Sequence, residues 1–266
     1  MLGYYRLPRN RLLMDFFESL NSGDASQYLI TQGSDAWDDI RRGRFTSSEI
    51  HNLMSPGYRL MTPDELKNRP KKGEGSAVKW IESPDILSDA AKTYIQIKVA
   101  EVLTGTSKEN SYAFPLVRGT EMEPEAVEYF EKQTGMVCEE VGFVPFGDHA
   151  GGSPDRYIGE DDLLEVKCPW TLEKQIDYLE LTDQWDLKRY SAEYYWQCMS
   201  NLFFTARERC HFITYDPRYP EPYRMTHIII KPEAQAFDLI AKKITAAVKE
   251  KLEKLKYIEE CLQVKK

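Results

Sequence analysis

The sequence predicts a mixed α/β (α+β) domain in which helices come first, a central β-sheet follows, and a long helix closes the chain. Three observations carry that expectation. Between Val137 and Lys231 the chain holds short β-rich segments (137–146, 155–158, 163–168, 210–215 and 224–231), separated by turn residues and interrupted by one helical stretch at about 190–206. On both sides of that region, apolar residues recur at helical rather than alternating spacing. The 266 residues are enough to bury a core without disulfides. The expected organisation is a single domain, 1–266, with an N-terminal helical extension (about 1–31) and a Pro/Lys-rich insertion loop (about 55–85).

Taken in order, residues 10–21 read as a short amphipathic helix and 22–35, rich in Gly, Ser, Asp and Gln, as a loop. From Asp35 to Met54, Trp37, Ile40, Ile50, Leu53 and Met54 fall at helical spacings around Arg41-Arg42-Gly43-Arg44, which predicts two short helices with a break at the glycine. Residues 55–85 carry Pro56, Gly57, Pro63, Pro70, Gly73, Gly75 and Pro84 and the run KNRPKKGEG, the pattern of an irregular basic surface loop. Ser88 to Leu103 reads as an amphipathic helix that stops before Gly105. A second helix is expected from Glu121 to Gln133, starting near Glu123 because Pro124 is tolerated only in a first turn, with Gly135 as its stop. The closing helix, from Pro232, carries the stripe Phe237, Ile240, Ile244, Val248, Leu252, Leu255 and Ile258, suited to core or subunit packing.

Composition narrows the class. A net charge of −8 and a pI near 5.2 argue against a protein basic all over, although a nucleic-acid enzyme needs only a local basic footprint and must carry acids of its own to hold a metal. The five cysteines, Cys138, Cys168, Cys198, Cys210 and Cys261, include no CxxC pair, so a zinc or iron–sulfur centre is not expected and reduced thiols are. The four histidines, His51, His149, His211 and His227, have no ligand spacing and are expected to be structural. The first twenty residues mix arginines and acids into their apolar pattern, unlike a signal peptide. No apolar run reaches the roughly 18–20 residues that span a bilayer. A soluble, cytoplasmic protein with no membrane partner is expected.

The stretch that carries chemistry is GGSPDRYIGEDDLLEVKCP, Gly151 to Pro169. It reads as a hairpin in which Asp155 opens one strand, the turn falls at Gly159–Asp162, and the second strand runs from Leu163 to Cys168, stopped by Pro169. Strand side chains alternate, so Glu165 and Lys167 share a face while Val166 points to the other, and the paired strand can bring Asp155 to the Glu165 face. Two carboxylates and an ammonium around one point suit a hard divalent cation, which takes oxygen ligands; the backbone carbonyl of Val166 can supply another oxygen. Lys167 is then placed to orient or activate an attacking water and to offset charge on a phosphate. Alone, a D…ExK pattern is weak, since a surface hairpin with a Glu–Lys pair gives the same letters.

The context is richer. GGSPD…LLEVKCP resembles the active-site core of the phage lambda exonuclease and YqaJ-type viral recombinase nuclease family, within the PD-(D/E)XK superfamily. Residues 32–52, QGSDAWDDIRRGRFTSSEIHN, resemble that family's N-terminal block; RGTEMEPEA from Arg118, with Thr134-Gly135, resembles its central helix; Tyr195–Met199 and Tyr215–Arg218 resemble its later blocks. The likeness implies a restriction-endonuclease-like core, a central mixed β-sheet flanked by helices. It implies Mg²⁺ (Mn²⁺ as substitute), two ions per site, held by Asp155, Glu165, the Val166 carbonyl and the helix-borne Glu123, with Glu121 and Glu125 as alternatives to Glu123 if the alignment slips. It implies Lys167 as the residue serving the nucleophilic water, and a 5′-phosphate pocket of Arg41 and Ser48 with Ser153 and Gln197 beside it. It further implies a 5′→3′ exonuclease acting on double-stranded DNA ends, a homotrimeric ring threaded by DNA, and work beside a single-strand annealing recombinase.

The N-terminal extension, the 55–85 region and the segment 172–190 depart from lambda exonuclease, which leaves trimerisation and processivity less supported than metal-dependent cleavage. Two other readings stay open from the sequence: a single-strand DNA nuclease or an endonuclease with the same core, and a non-catalytic DNA-end-binding recombination scaffold, which the intact Asp155, Glu165 and Lys167 speak against.

Overall fold

A computed structural model describes residues 30–67, 80–107 and 114–264. The expected helix at 10–21, most of the N-terminal extension, and the basic run beyond Lys67 lie outside the described residues.

Helix α1 (Asp35–Arg41) starts where Ser34 accepts a hydrogen bond from the Trp37 amide, and it carries Asp35 and Asp38 in its first turn and Arg41 in its last, as the helix dipole favours. It stops at Gly43, whose φ of +71° suits glycine and whose missing Cβ leaves room for Val102, 2.5 Å from where that atom would stand. Strand β1 (Phe45–Thr46), a single 3₁₀ turn (Ser47–Glu49) and α2 (His51–Met54) follow. The next stretch is more regular than its prolines and glycines suggest. Strand β2 (Pro56–Leu60), helix α3 (Pro63–Lys67) and strand β3 (Trp80–Leu87) come in turn, with β2 and β3 paired antiparallel. Pro56 and Pro84 sit within these strands because a two-stranded ribbon has only edges, where a missing N–H is tolerated.

Helix α4 (Asp89–Thr104) runs between its Ser88 cap and Gly105, at φ +66°, as expected. Helix α5 (Phe114–Thr134) begins well before the expected start, with Pro124 inside it. Proline costs the helix one donor, but Ala126, Val127 and Phe130 beyond it pack into a buried cluster with sheet residues, and that tertiary packing outweighs the local preference. The expected strand 137–146 divides into β4 (Cys138–Glu140) and β5 (Val144–Phe146), which join different sheets, with Val141 and Phe143 buried between them. Then come β6 (Ala150–Gly152), β7 (Arg156–Ile158), β8 (Asp162–Lys167), α6 (Leu172–Leu179), α7 (Gln184–Tyr190), α8 (Ala192–Thr205), β9 (Arg209–Tyr215), β10 (Met225–Ile230) and α9 (Ala234–Val264).

The central sheet has five strands in the order β10-β9-β8-β7-β4; β8 and β9 are parallel and the other pairs antiparallel, so the sheet is mixed and the fold is α+β. A second sheet, β1-β6-β5, lies beside it. One face of the central sheet packs Leu164, Val166, Ile213 and Tyr215 on α5. The other packs Leu163, Cys210 and Phe212 with α8 and with α9, whose Ile240, Ile244 and Val248 are buried as the stripe predicts, whereas Leu252 is exposed. No described helix is long and apolar enough to cross a membrane.

Candidate active site

The alternation of β8 sends Leu164 and Val166 to the α5 face and leaves Glu165 and Lys167 on the face toward α8. The hairpin with β7 does the rest. The Asp155 amide donates to the Leu164 carbonyl (3.2 Å), and the Val166 amide donates to Oδ2 of Asp155 (2.6 Å), so the Asp155 carboxylate is tied to the strand between Glu165 and Lys167. Lys167 Nζ lies 2.6 Å from Oε1 of Glu165 and 5.0 Å from the ring centre of Tyr194. Glu165 is wholly buried, and two amides from α8 serve it: Gln197 Nε2 donates to Oε1 (2.6 Å) and Asn201 Nδ2 to Oε2 (3.2 Å). From α5, Glu123 reaches the same place and accepts from Arg156 Nη1 at 2.7 Å.

Burial and mutual repulsion dominate the electrostatics. Burial, then the charge of Asp155, pushes the Glu165 carboxyl up to about 8. Burial raises Asp155 against the opposing pull of Lys167 and the Val166 amide. Glu123 is raised by burial and then by Asp155. Burial works to depress the Lys167 ammonium, but Glu165 and Asp155 outweigh it and hold the group above the ordinary lysine range. Three acids that repel one another, against the two fixed cations Lys167 and Arg156, form a site short of positive charge.

The donor chemistry fits a hard divalent ion, because every acid offers oxygen and the carboxylates gain from a nearby cation. Among the described residues no three His, Cys, Asp or Glu side chains stand in a metal-holding arrangement; Lys167, the Val166 amide and Arg156 each take up an oxygen of these acids. Of the alternatives on α5, Glu121 is exposed and Glu125 accepts from the Tyr215 hydroxyl (2.8 Å), so Glu123 is the acid that joins Asp155 and Glu165.

A second cluster stands two residues before Asp155. The Arg41 guanidinium lies 3.8 Å from the ring centre of Trp37, and its Nη2 donates to the Ser48 hydroxyl (3.2 Å). Trp37 Nε1 donates to the Ser153 hydroxyl (3.1 Å), which is also 3.5 Å from Arg41 Nη1. Burial lowers the Arg41 pKa, with Glu49 the largest opposing influence. The structure thus brings Arg41, Ser48 and Ser153 together. Gln197 donates its amide to Glu165, and its helix α8 packs on the 3₁₀ turn that carries Ser48. The five thiols are free, His211 pairs with His227 and with Asp162, and His149 contacts Lys251.

Sequence reasoning missed Asn201, Arg156 and Trp37. Asn201 follows Gln197 by four residues on a helix and Trp37 precedes Arg41 by four, so in each case i, i+4 geometry carried the signal. It also missed the reason for Gly151-Gly152. A Cβ on Gly151 would meet the Phe143 ring at 2.3 Å, and one on Gly152 would meet Asn201 Oδ1 at 2.4 Å and Ser47 Oγ at 2.5 Å.

Residues 36–208 match the family profile of the YqaJ-like viral recombinase domain. Among solved structures, the chain is similar to an alkaline exonuclease, LHK-Exo, from Laribacter hongkongensis, with a TM-score of 0.67 and 23% identity over 88% of this chain and 100% of the other. The same enzyme in complex with dAMP gives 0.67 and 22% over the same shares. A phage-related exonuclease from Haemophilus somnus 129PT gives 0.59 and 14% over 82% of this chain and 96% of its own. No curated protein sequence matches the chain.

Proposed function

Because the chain belongs to the YqaJ-like viral recombinase family, we propose that it is a divalent-metal-dependent deoxyribonuclease that degrades one strand of duplex DNA 5′→3′ from 5′-phosphorylated ends. The observation that carries this reading is the wholly buried Glu165 held beside Asp155 with the Lys167 ammonium against it, a grouping in which burial and the neighbouring acid resist ionisation. The likeness of the fold to exonucleases, one of them holding dAMP, supports the choice of substrate.

Asp155, Glu165, Glu123 and the Val166 carbonyl would hold Mg²⁺, two ions per site in this reading, with Mn²⁺ as substitute. When bound, the metal supplies a polarised phosphate and a water of lowered pKa. The chain's own groups do the positioning. Gln197 and Asn201 fix both oxygens of Glu165, and Arg156 fixes Glu123. Lys167 presents a fixed positive charge to the attacking water and the scissile phosphate. Arg41, stacked on Trp37 and aimed by Ser48, offers a fork of donors to a terminal 5′-phosphate, with the Ser153 hydroxyl as a neutral donor. In the same reading the product is a 3′ single-stranded tail for an annealing recombinase, and the working form is a homotrimeric ring whose channel gathers basic groups while the outside stays acidic.

The test uses linear duplex DNA labelled at the 5′ or 3′ terminus, with and without a 5′-phosphate, in Mg²⁺ or EDTA. Early release of the 5′ label, faster from phosphorylated ends and blocked by EDTA, is expected. Release from the 3′ end or internal cutting would overturn the polarity, and no cleavage with Mg²⁺ or Mn²⁺ would overturn the enzyme.

A further inference from the structure

We propose that Arg118 and Arg218, bracketed by the buried Asp216 at the exit of β8, form a second phosphate-binding site, one that grips a phosphodiester of the DNA strand passing through the acidic cluster. This rests on the DNA reading above.

The chain leaves β8 through Cys168 and Pro169, and both arginines converge there. Arg118, on α5 five positions before Glu123, donates from Nε to the Pro169 carbonyl (3.2 Å), and its Nη2 lies 3.5 Å from Asp216 Oδ1. Arg218 comes from the segment after β9. Its Nε reaches Asp216 Oδ1 at 2.8 Å and its Nη2 reaches Oδ2 at 2.6 Å, and Nη2 also lies 3.2 Å from the Trp170 carbonyl. Asp216 is itself wholly buried and fixed: its amide donates to the Arg224 carbonyl, and its Oδ1 accepts from the Arg218 amide.

One carboxylate compensates one guanidinium, so the bracket carries a net positive charge. Glu173, the next acid to act on Arg218, forms no ion pair with it among the described residues. Nη1 of each arginine has no protein hydrogen bond among the described residues, and neither is a buried orphan. Two rigidly held forks thus keep donors in reserve, as bidentate or paired recognition of phosphate oxygens requires.

The place is also right. Arg118 shares helix α5 with Glu123, and its bond to the Pro169 carbonyl sets it two residues past Lys167 along the chain. No residue of the bracket is shared with the Arg41 cluster. The two sites therefore divide the labour: Arg41 reads a terminal phosphate, and Arg118 with Arg218 holds an internal one, which bears no relation to whether the end is phosphorylated.

The experiment measures equilibrium binding of the full chain to a short fluorescein-labelled duplex in EDTA across a KCl series, with 5′-phosphate and with 5′-hydroxyl. For Arg118→Gln, affinity at moderate salt is expected to fall about tenfold. The slope of log K against log[KCl] should flatten by about 0.9, one phosphate contact, and the preference for 5′-phosphate should persist. Arg118→Lys keeps the charge without the fork, so the slope is retained while affinity weakens, and it keeps the test usable if the glutamine variant melts early. A glutamine variant with wild-type slope and affinity, or a lysine variant that loses the slope, would overturn the proposal while leaving the nuclease intact. Failure of the wild-type chain to bind the duplex at all would overturn the DNA reading and this site with it.

Discussion

Lys167 and Glu165, two positions apart on β8, face each other at 2.6 Å with Glu165 wholly out of water. The pair shows why a strand suits this chemistry: residues i and i+2 share a face by the pleat alone, and the backbone fixes their separation.

Replacing Glu165 with Gln keeps the shape and removes a buried acid that its surroundings resist ionising. Cleavage of linear duplex should fall at least about a hundredfold, while the melting temperature in EDTA falls, because the new NH₂ must face Lys167, Gln197 or Asn201, all donors. A variant that cut DNA at the wild-type rate would remove Glu165 from the site.

The acids of α5 should separate cleanly. Glu123→Gln is expected to lose most activity. Glu125→Gln, whose side chain accepts from the Tyr215 hydroxyl, should keep its rate and change stability by about 1 kcal/mol or less. Rate measurements in Mg²⁺ together with urea melts decide between them.

Arg41→Ala should reduce the preference for 5′-phosphorylated over 5′-hydroxyl ends by about tenfold or more, the scale of one charge-assisted contact. Arg41→Lys should recover part of it, since a point charge replaces the fork stacked on Trp37. An unchanged ratio in competition cleavage assays would place the end-binding site elsewhere.

Gly152→Ala puts a methyl group where Asn201 Oδ1 and Ser47 Oγ stand. The expected cost is about 1–3 kcal/mol of stability. Because Asn201 also donates to Glu165, activity should fall as well, to about the level of Asn201→Ala. Melts and rates on the two variants, alone and combined, test the link: if the effects on rate add fully, Gly152 does not act through Asn201.

Lys251 supplies the pH dependence. Its ammonium is buried on α9, donates to the Gly43 carbonyl (2.8 Å), contacts Nδ1 of His149, and is lowered by burial to about 8. A depressed lysine is a cost to the fold while both states are charged, below about pH 8. As pH rises from there toward the ordinary 10.5, the folded state has already shed the proton and the cost is relieved. Wild type should therefore gain stability relative to Lys251→Met across that window, by up to about 3 kcal/mol. Paired urea melts at each pH measure it, and a constant gap would refute the assignment.

Much of this was legible in the letters. Ser88 and Gly105 bound α4 because cap and stop chemistry is local, and Asp155, Glu165 and Lys167 converge because strand alternation and a hairpin are local too. What failed was what packing decides. Pro124 lies within α5 because the sheet buries the residues beyond it. Residues 56–60 and 80–87 pair although their composition reads as loop, since a ribbon edge tolerates proline. That Gln197 serves Glu165 was not legible either, since the rotation of α8 over β8 is set by the core and not by its own sequence.

The parallel pairing of β8 with β9 has a consequence in time. Leu163 meets Cys210, nearly fifty residues later, and no tight turn can join parallel neighbours, so the whole excursion through α6, α7 and α8 must be made before the ladder can close. Such a long closure is slow, because its entropy is lost before any contact compensates it. A growing chain halted before Arg209 would hold all three acids, but with β8 as an open edge ready to pair with another chain. The hairpin that gathers Asp155, Glu165 and Lys167 can form early, but the strand that carries them is covered on its far side only after β9 has been made.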